Sequence, residues 1–341
     1  MEIGVLMPPL PRRTAYIARM IEEQGFDAML FPDSQNLAPD VWMELGLAAG
    51  ATTKLKLGPG VSNSLTRDPA VTACAALTLQ VESEGRAVLG MGRGDSSVQR
   101  IGKHEDKVAS FTAYLDTVQR YLRGDAIDRD GFASRLEWHQ HVKAPKVPLF
   151  VAATGKRVIE AAARHADAVC LAAGANPTHL GGLLAHARET ARAAGRDPAS
   201  VRYGAFINCV INSDPTVARN ALRGTVATFA RFSAFQGSDL ARLPGPLQGA
   251  AGYLRTHYDM REHTSSAAAH AAGMSDAFID WFAISGTADA ALPRFRELAA
   301  LGLDFCYVIA GSANVPREVT TASLLGLAQG VLPALRSAPA T

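Results

Sequence analysis

Eight short, mostly apolar segments recur along the chain, and longer amphipathic stretches separate them. Apolar runs of this length are typical of strands that are buried on both faces in a parallel sheet covered by helices. Several of the intervening stretches, such as 14–25 and 179–195, end at a glycine that favours helix termination. The alternation predicts an α/β fold, with strands at 3–8, 28–33, 55–63, 87–94, 148–154, 168–174, 203–211 and 304–311.

Two α/β architectures accommodate this order of elements. Eight strands with intervening helices over 341 residues favour a (β/α)8 TIM barrel over an open, doubly wound sheet, which stays as the alternative. No internal repeat or low-complexity linker marks a boundary, so we expect a single domain spanning 1–341.

Two regions interrupt the alternation. Residues 125–145 are polar and predict a ribbon or loop before the fifth strand. Residues 233–280 are too long for an ordinary connection and form an insertion after strand 7. Either this insertion covers the carboxyl-terminal mouth of the barrel as a lid, or it is a surface excursion or oligomer contact.

Composition and charge restrict the class of protein. The chain is 48% hydrophobic and 19% charged, which is enough apolar material for a large core. Its formal net charge is +2 and no basic block is present, so we expect neither nucleic acid nor an anionic membrane as a partner. No basic segment precedes the short apolar run at the amino terminus, and no apolar run approaches the length of a membrane span. We therefore expect a cytoplasmic protein.

Cysteine and histidine residues do not form a recognisable site. The four cysteines lie far apart, without a CxxC pair, and are expected to be reduced thiols. The histidine pairs His139/His141 and His257/His263 have no accompanying carboxylate pattern, so no metal site is predicted.

The stretch "AVLGMGRGDSS" (87–97) ends the predicted fourth strand in bare backbone beside one fixed cation. Glycine lets a ligand approach the backbone closely, and the planar guanidinium of Arg93 suits a phosphate. Ser96 and Ser97 are expected to cap the next helix. The spacing does not match a dinucleotide-binding fingerprint. A tight strand-to-helix turn with a surface arginine is the alternative interpretation.

A second glycine turn follows the predicted fifth strand, in "FVAATGKRVIE" (150–160). Thr154 is expected to be the N-cap, and Lys156 or Arg157 adds positive charge to a helix N-terminus that already favours anions. In a barrel the fourth and fifth strands are neighbours with their carboxyl ends at the same mouth. The two turns together therefore predict one shared phosphate site.

The second and third strands also end in unusual residues. Gly58, Pro59 and Gly60 interrupt the third strand, which indicates either a bulge under a flat ring or simple strand termination. At the end of the second strand, Asp33 stands where a carboxylate accepts a proton or hydrogen bond from a ligand. The alternative interpretations are that it holds the loop or pairs with a neighbouring arginine.

The order of these landmarks resembles that of the bacterial luciferase-like superfamily of flavin- and deazaflavin-dependent oxidoreductases. The resemblance rests on "GFDAMLFPDSQ", "LGPGVSNSLTRDPAV", "GRAVLGMGRGDSS" and "PLFVAATGKRVIEAAARHADAV", and covers most of 1–230 and 281–330. It is particularly close to the methylenetetrahydromethanopterin reductase-like branch.

The resemblance implies a role for each group of site residues. It implies a non-prolyl cis peptide between Gly60 and Val61 that supports the central ring of the cofactor. It implies cofactor-binding roles at the two glycine turns and catalytic roles at the ends of the second and third strands. The cofactor-binding residues are then Gly60, Val61, Gly92, Arg93, Gly94, Thr154, Gly155 and Lys156, and the catalytic ones are Asp33, Ser34 and Asn63.

The function implied by the resemblance is hydride transfer between the deazaflavin coenzyme F420 and a small organic substrate. One alternative is a monooxygenase that uses reduced FMN, delivered by a partner flavin reductase, together with O2. Another is a non-catalytic flavin-binding barrel. Ser34 stands where true luciferases and some deazaflavin alcohol dehydrogenases carry a histidine, which disfavours light emission and alcohol oxidation through a histidine base. Relatives usually form homodimers through barrel helices.

Overall fold

Parallel strands form the wall of a closed barrel in the computed structural model, which describes residues 1–234 and 239–337. The third barrel strand is split into two pieces, β3 and β4. The strands are β1 (Glu2–Leu6), β2 (Ala28–Phe31), β3 (Lys56–Pro59), β4 (Ser62–Asn63), β5 (Leu89–Gly92), β6 (Ile127–Arg129), β7 (Phe132–Ser134), β8 (Leu149–Ala153), β9 (Ala168–Leu171), β10 (Arg202–Ile211), β11 (Ile284–Gly286) and β12 (Phe305–Ile309).

The helices follow the strands along the chain. Most outer helices pack against the next one around the barrel, as α1 does on α2 and α5 on α6. They are α1 (Thr14–Glu23), α2 (Val41–Ala49), α3 (Pro69–Glu82), α4 (Ser96–Gln99), α5 (Val108–Arg123), α6 (Lys156–His165), α7 (Pro177–Ala193), α8 (Pro215–Arg231), α9 (Gly245–His257), α10 (Ala269–Ala272), α11 (Asp276–Phe282), α12 (Ala288–Ala300), α13 (Arg317–Gly326) and α14 (Leu332–Arg336).

The order of the strands closes the sheet on itself. Hydrogen-bonded neighbours run β3-β2-β1-β12-β10-β9-β8-β5-β4, with β11 beside the end of β10. The third strand also meets the segment before β5, where Val88 N donates to Leu57 O at 2.9 Å and Leu57 N donates to Arg86 O at 3.0 Å. The predicted TIM barrel is confirmed, and the open doubly wound sheet is wrong.

Aromatic side chains fill the interior of the barrel. Phe150, Phe206, Phe305 and Tyr307 point inward from three strands, with ring centroids 5.0 to 6.3 Å apart. At the amino-terminal end, the guanidinium of Arg202 lies 5.3 Å from the ring centroid of Phe305. The base of the barrel is therefore a packed core, as in other barrels of this size.

The polar segment before the fifth barrel strand forms a ribbon, as one of its two interpretations expected. β6 and β7 pair antiparallel, and Arg129 lies opposite Phe132. Asp130 and Gly131 both have positive φ angles, 53° and 85°, which is the backbone of a two-residue hairpin turn.

The first helix after the seventh barrel strand is α8, which precedes the predicted insertion 233–280. An ordinary outer helix buries one face, whereas residues 224–231 of α8 are all buried. The ring of Phe229 on α8 lies 6.0 Å from that of Phe206 inside the barrel, and Ser312 N, after β12, donates to Ala221 O at 2.8 Å. We call residues 215–282 the strand-seven excursion. Its described part packs across the carboxyl-terminal end of the barrel.

Two further observations concern the described residues. Across 1–234 and 239–337, no helix has the length and apolar character that crossing a bilayer requires. All four cysteines are free thiols, and Cys170, Cys209 and Cys306 are buried.

Candidate functional site

The interruption of the third barrel strand is a bulge. The chain leaves the ladder after Pro59, the peptide bond between Gly60 and Val61 is cis, and pairing resumes at β4. Gly60 N donates to Phe31 O at 2.8 Å, and a Cβ on Gly60 would lie 2.8 Å from Leu30 Cβ. Glycine is required here because the bulge presses directly against the second strand.

The bulge faces the interior at the carboxyl-terminal end of the barrel. Val61 packs against the interior apolar cluster, and a Cβ on Gly92 would lie 2.8 Å from Val61 Cγ2. Gly92 in the fourth strand therefore leaves the room that the Val61 side chain occupies. Gly94, two residues on, has a φ of +95° and turns the chain away from the strand.

Asp33 is part of a buried ion pair. Its Oδ2 accepts hydrogen bonds from Ser62 Oγ at 2.6 Å and from Arg67 Nη1 at 2.8 Å, and the residue is only 8% exposed. Arg67 Nη2 also reaches Asp40 Oδ2 at 3.3 Å. Of the roles left open by the sequence, the structure shows pairing with a neighbouring arginine. Sequence reasoning did not identify Arg67, although a buried carboxylate requires a charged partner.

Hydrogen bonds join the ends of the second, third and fourth strands. Ser34 Oγ lies 2.8 Å from Ser96 Oγ, and Asn63 Nδ2 donates to Ser97 Oγ at 3.2 Å. The expectation that the two serines cap the next helix is wrong, because the N-cap of α4 is Asp95 and the serine hydroxyls point to the neighbouring strand ends instead. Asn63 Oδ1 accepts from the backbone N–H groups of Leu65 and Thr66, two and three residues further along the loop.

Arg93 lies at the carboxyl end of the fourth strand, beside a second arginine. Its Nε donates to Asp106 O at 2.5 Å, and Asp106 N donates to Arg93 O at 2.8 Å. Burial lowers the pKa of Arg93, Glu105 and Asp106 oppose that change, and the positive charge of Arg157 lowers the pKa further. The two turns thus bring Arg93 and Arg157 close together in space.

The N-terminus of α6 lies at the same place. Thr154 is not its N-cap, because the threonine hydroxyl donates to the carbonyl of Ala172 on the adjacent strand end at 3.1 Å. Gly155 takes the N-cap position, and no side chain caps the helix. Lys156 and Arg157 are exposed on the first turn. An uncapped helix N-terminus with arginines beside it is a donor set that fits a phosphate.

The strand-seven excursion is fastened to the loop that carries Arg93. Arg231 Nη2 donates to Asp95 Oδ1 in a largely buried ion pair. Arg100 Nη2 donates to Met260 O at 2.8 Å, and Tyr258 Oη lies 2.7 Å from His263 Nδ1. No sequence pattern indicated the Asp95–Arg231 pair, since its partners lie on different elements.

The buried histidine of this network predicts a pH response. Burial lowers the pKa of His263 to about 4, with Asp95 opposing the change and Arg231 adding to it. The unfolded segment binds a proton near pH 6.5, so the excursion should lose stability as pH falls from about 6.5 toward 4. Protection factors of residues 258–272 against hydrogen exchange, which are corrected for the intrinsic pH dependence of amide exchange, should fall over this window, and His263→Gln should remove part of the response. Equal protection factors at pH 7 and pH 4.5 would contradict the assignment.

The described residues hold no group of three or more histidine, cysteine or acidic side chains placed to bind a metal.

Comparison with known proteins adds to this geometry. The family model described as luciferase-like monooxygenase matches residues 4–304. A 5,10-methylenetetrahydromethanopterin reductase of Methanolobus tindarius is 28% identical over 318 residues, covering 92% of this chain and 94% of the relative.

Solved structures share the fold. The coenzyme F420 dependent tetrahydromethanopterin reductase from Methanopyrus kandleri superposes with a TM-score of 0.72 at 23% identity, covering 98% of this chain and 99% of that one. An F420-dependent secondary alcohol dehydrogenase, solved with an F420-acetone adduct, gives a TM-score of 0.76 at 18% identity over the same shares of the two chains.

Proposed function

The chain belongs to the luciferase-like monooxygenase family, and from this premise we propose that it is an oxidoreductase using coenzyme F420 for hydride transfer to or from a small organic substrate. One observation carries the proposal: an uncapped helix N-terminus with two arginines adjoins the carboxyl ends of the strands next to the Gly60–Val61 bulge. The reductase from Methanolobus tindarius and the F420-dependent solved structures support it.

The proposed cofactor site has two parts, one that contacts the ring and one that binds the phosphate. Gly60 and Val61 form the surface against which the cofactor ring rests. Arg93 and the first turn of α6 hold the phosphate, with the glycines of both turns allowing close approach. The phosphate-side residues are Gly92, Arg93, Gly94, Thr154, Gly155 and Lys156. When bound, F420 supplies or accepts a hydride at C5 of its deazaflavin ring.

The polar residues at the ends of the second and third strands orient the reactants. We place the Ser34 hydroxyl, held by Ser96 Oγ, nearest to the reacting centre as a hydrogen-bond donor. Asp33 is held by Arg67 and Ser62, and Asn63 by its own loop and Ser97, so both act as positioning residues. The buried α8 excludes water from the mouth, which strengthens these hydrogen bonds.

The second candidate is a monooxygenase that takes reduced FMN from a partner flavin reductase and consumes O2. The description of the family model favours it, and the same phosphate donors serve FMN. This alternative predicts binding that is selective for reduced FMN.

Titration with four ligands separates the candidates. Oxidised and reduced F420, and oxidised and reduced FMN, are each added to the purified protein while fluorescence or absorbance is followed. The proposal predicts that F420 binds more tightly than FMN. Selective binding of reduced FMN with oxygen uptake would establish the second candidate instead. If none of the four binds to a protein with an intact circular dichroism spectrum, both candidates are wrong.

We also propose that the protein forms a homodimer through its outer helices. Met43 and Leu47 on α2 are 74% and 53% exposed, and Val71 on the adjoining α3 is 54% exposed. Clustered apolar exposure of this kind is typical of interaction surfaces. Sedimentation equilibrium should give a dimer that Leu47→Glu weakens, and a monomeric mass for the unmodified protein would exclude it.

A further inference from the structure

A groove runs down the outside of the barrel from the proposed phosphate site. It encloses about 250 Å³, which suits a narrow, chain-like group rather than a whole drug-sized ligand.

The groove lies between α5 and α6. It is lined by Val108, Ala109, Thr112, Arg157, Glu160, Ala161, Arg164 and His165.

The upper end of the groove adjoins the phosphate donors. Val108 is the first residue of α5 and lies two residues after Asp106. The backbone N–H and the carbonyl of Asp106 are both hydrogen-bonded to Arg93. Arg157 lines the groove, and its positive charge is the one that lowers the pKa of Arg93. A ligand whose phosphate is held at Arg93 can therefore continue directly into the groove.

The groove presents positive charge along its length. Arg157 and Arg164 are seven residues apart on one face of α6, which places them about 10 Å apart along the helix axis. Both are exposed, and within the described part of the chain neither belongs to an ion pair. The carboxylate of Glu160 is turned to His186 on α7, with Oε1 3.1 Å from Nε2.

One further titratable group, His165, lines the lower end. Burial lowers the pKa of His165, and Asp116 on α5 opposes that change. The two arginines therefore supply the positive charge of the groove at neutral pH, and an anionic chain with spaced carboxylates is the ligand that matches them.

We propose that this groove binds the oligoglutamyl tail that coenzyme F420 carries beyond its phosphate, an inference that rests on the proposed function. FMN ends at its phosphate and leaves the groove empty. The tail contacts therefore contribute to the choice of F420 over FMN, independently of the ring.

The test compares two forms of the cofactor, F420 with several glutamyl residues and its precursor without any, by fluorescence titration at low salt. The unmodified protein should bind the glutamylated form roughly fivefold more tightly, as expected for one or two exposed ion pairs. Arg164→Glu should abolish that preference while changing the affinity for the precursor less than about twofold. Arg19→Glu, the same charge change on the exposed surface of α1, should leave the preference intact.

The outcomes distinguish the two proposals. Equal affinity for both forms in the unmodified protein, or a preference that survives Arg164→Glu, would overturn the groove assignment and leave the proposed function standing. Failure of both forms to bind would overturn the proposed function, and the groove assignment with it.

Discussion

Replacement of Arg93 by alanine is expected to weaken F420 binding by about 10- to 100-fold while the barrel stays folded. The substitution removes a guanidinium that provides charge-assisted hydrogen bonds to phosphate, each contributing about 1.5 to 3 kcal/mol. Arg93 is half-buried, and within the described residues its side chain hydrogen-bonds to Asp106 O alone, so little of the core depends on it. Isothermal titration calorimetry with F420 measures the loss, and circular dichroism checks the fold.

Two further variants show whether the loss belongs to the phosphate. Arg93→Lys keeps the charge but not the planar fork and should recover part of the affinity. Arg19→Ala, on the exposed face of α1, should bind F420 as the unmodified protein does. Unchanged affinity in Arg93→Ala would remove this residue from the site.

Gly58→Ala is expected to have the largest effect on stability, a loss of about 3 kcal/mol or more in the free energy of unfolding. A Cβ at this position would lie 1.8 Å from Val88 O and 2.9 Å from Val88 C. Both atoms are backbone at the place where the third and fourth strands close the barrel, so neither can rotate away. Urea denaturation followed by circular dichroism measures the change.

The matched control is Gly182→Ala on the exposed side of α7, where an added Cβ meets nothing within 4 Å. Alanine is the better helix former, so this variant should be more stable by up to about 1 kcal/mol. If Gly58→Ala were as stable as Gly182→Ala, the close approach of the third strand to Val88 would be wrong.

The positions of the barrel strands could be predicted because burial on both faces makes each strand apolar. β10 shows this well, since every residue from Tyr203 to Ile211 is buried. The start of the strand-seven excursion could not be predicted in the same way. The helical pattern of α8 does not reveal that the helix lies over the mouth, because that depends on contacts with Phe206 and Ser312 from distant strands.

The sequence predicts where the turns of the site lie, but not which residues form hydrogen bonds with one another there. Glycines and prolines mark where a strand ends, so the bulge at Gly60 and the turns at Arg93 and Gly155 could be located from local sequence. The hydrogen bonds of Thr154 and Asp33 depend on which strand end lies alongside, and both were settled only by the closed barrel. The roles proposed for these residues stay predictions until binding is measured.

The aromatic rings that fill the base make the barrel a cup with one opening rather than a tube. In the part of the chain that the structure describes, Phe150, Phe206, Phe305 and Tyr307 pack against one another across the inside of the barrel. Every molecule that reacts inside must enter and depart through the carboxyl-terminal rim. When two molecules bind in such a cup together, the deeper one binds first and leaves last. The packing of the base therefore predicts ordered binding and release.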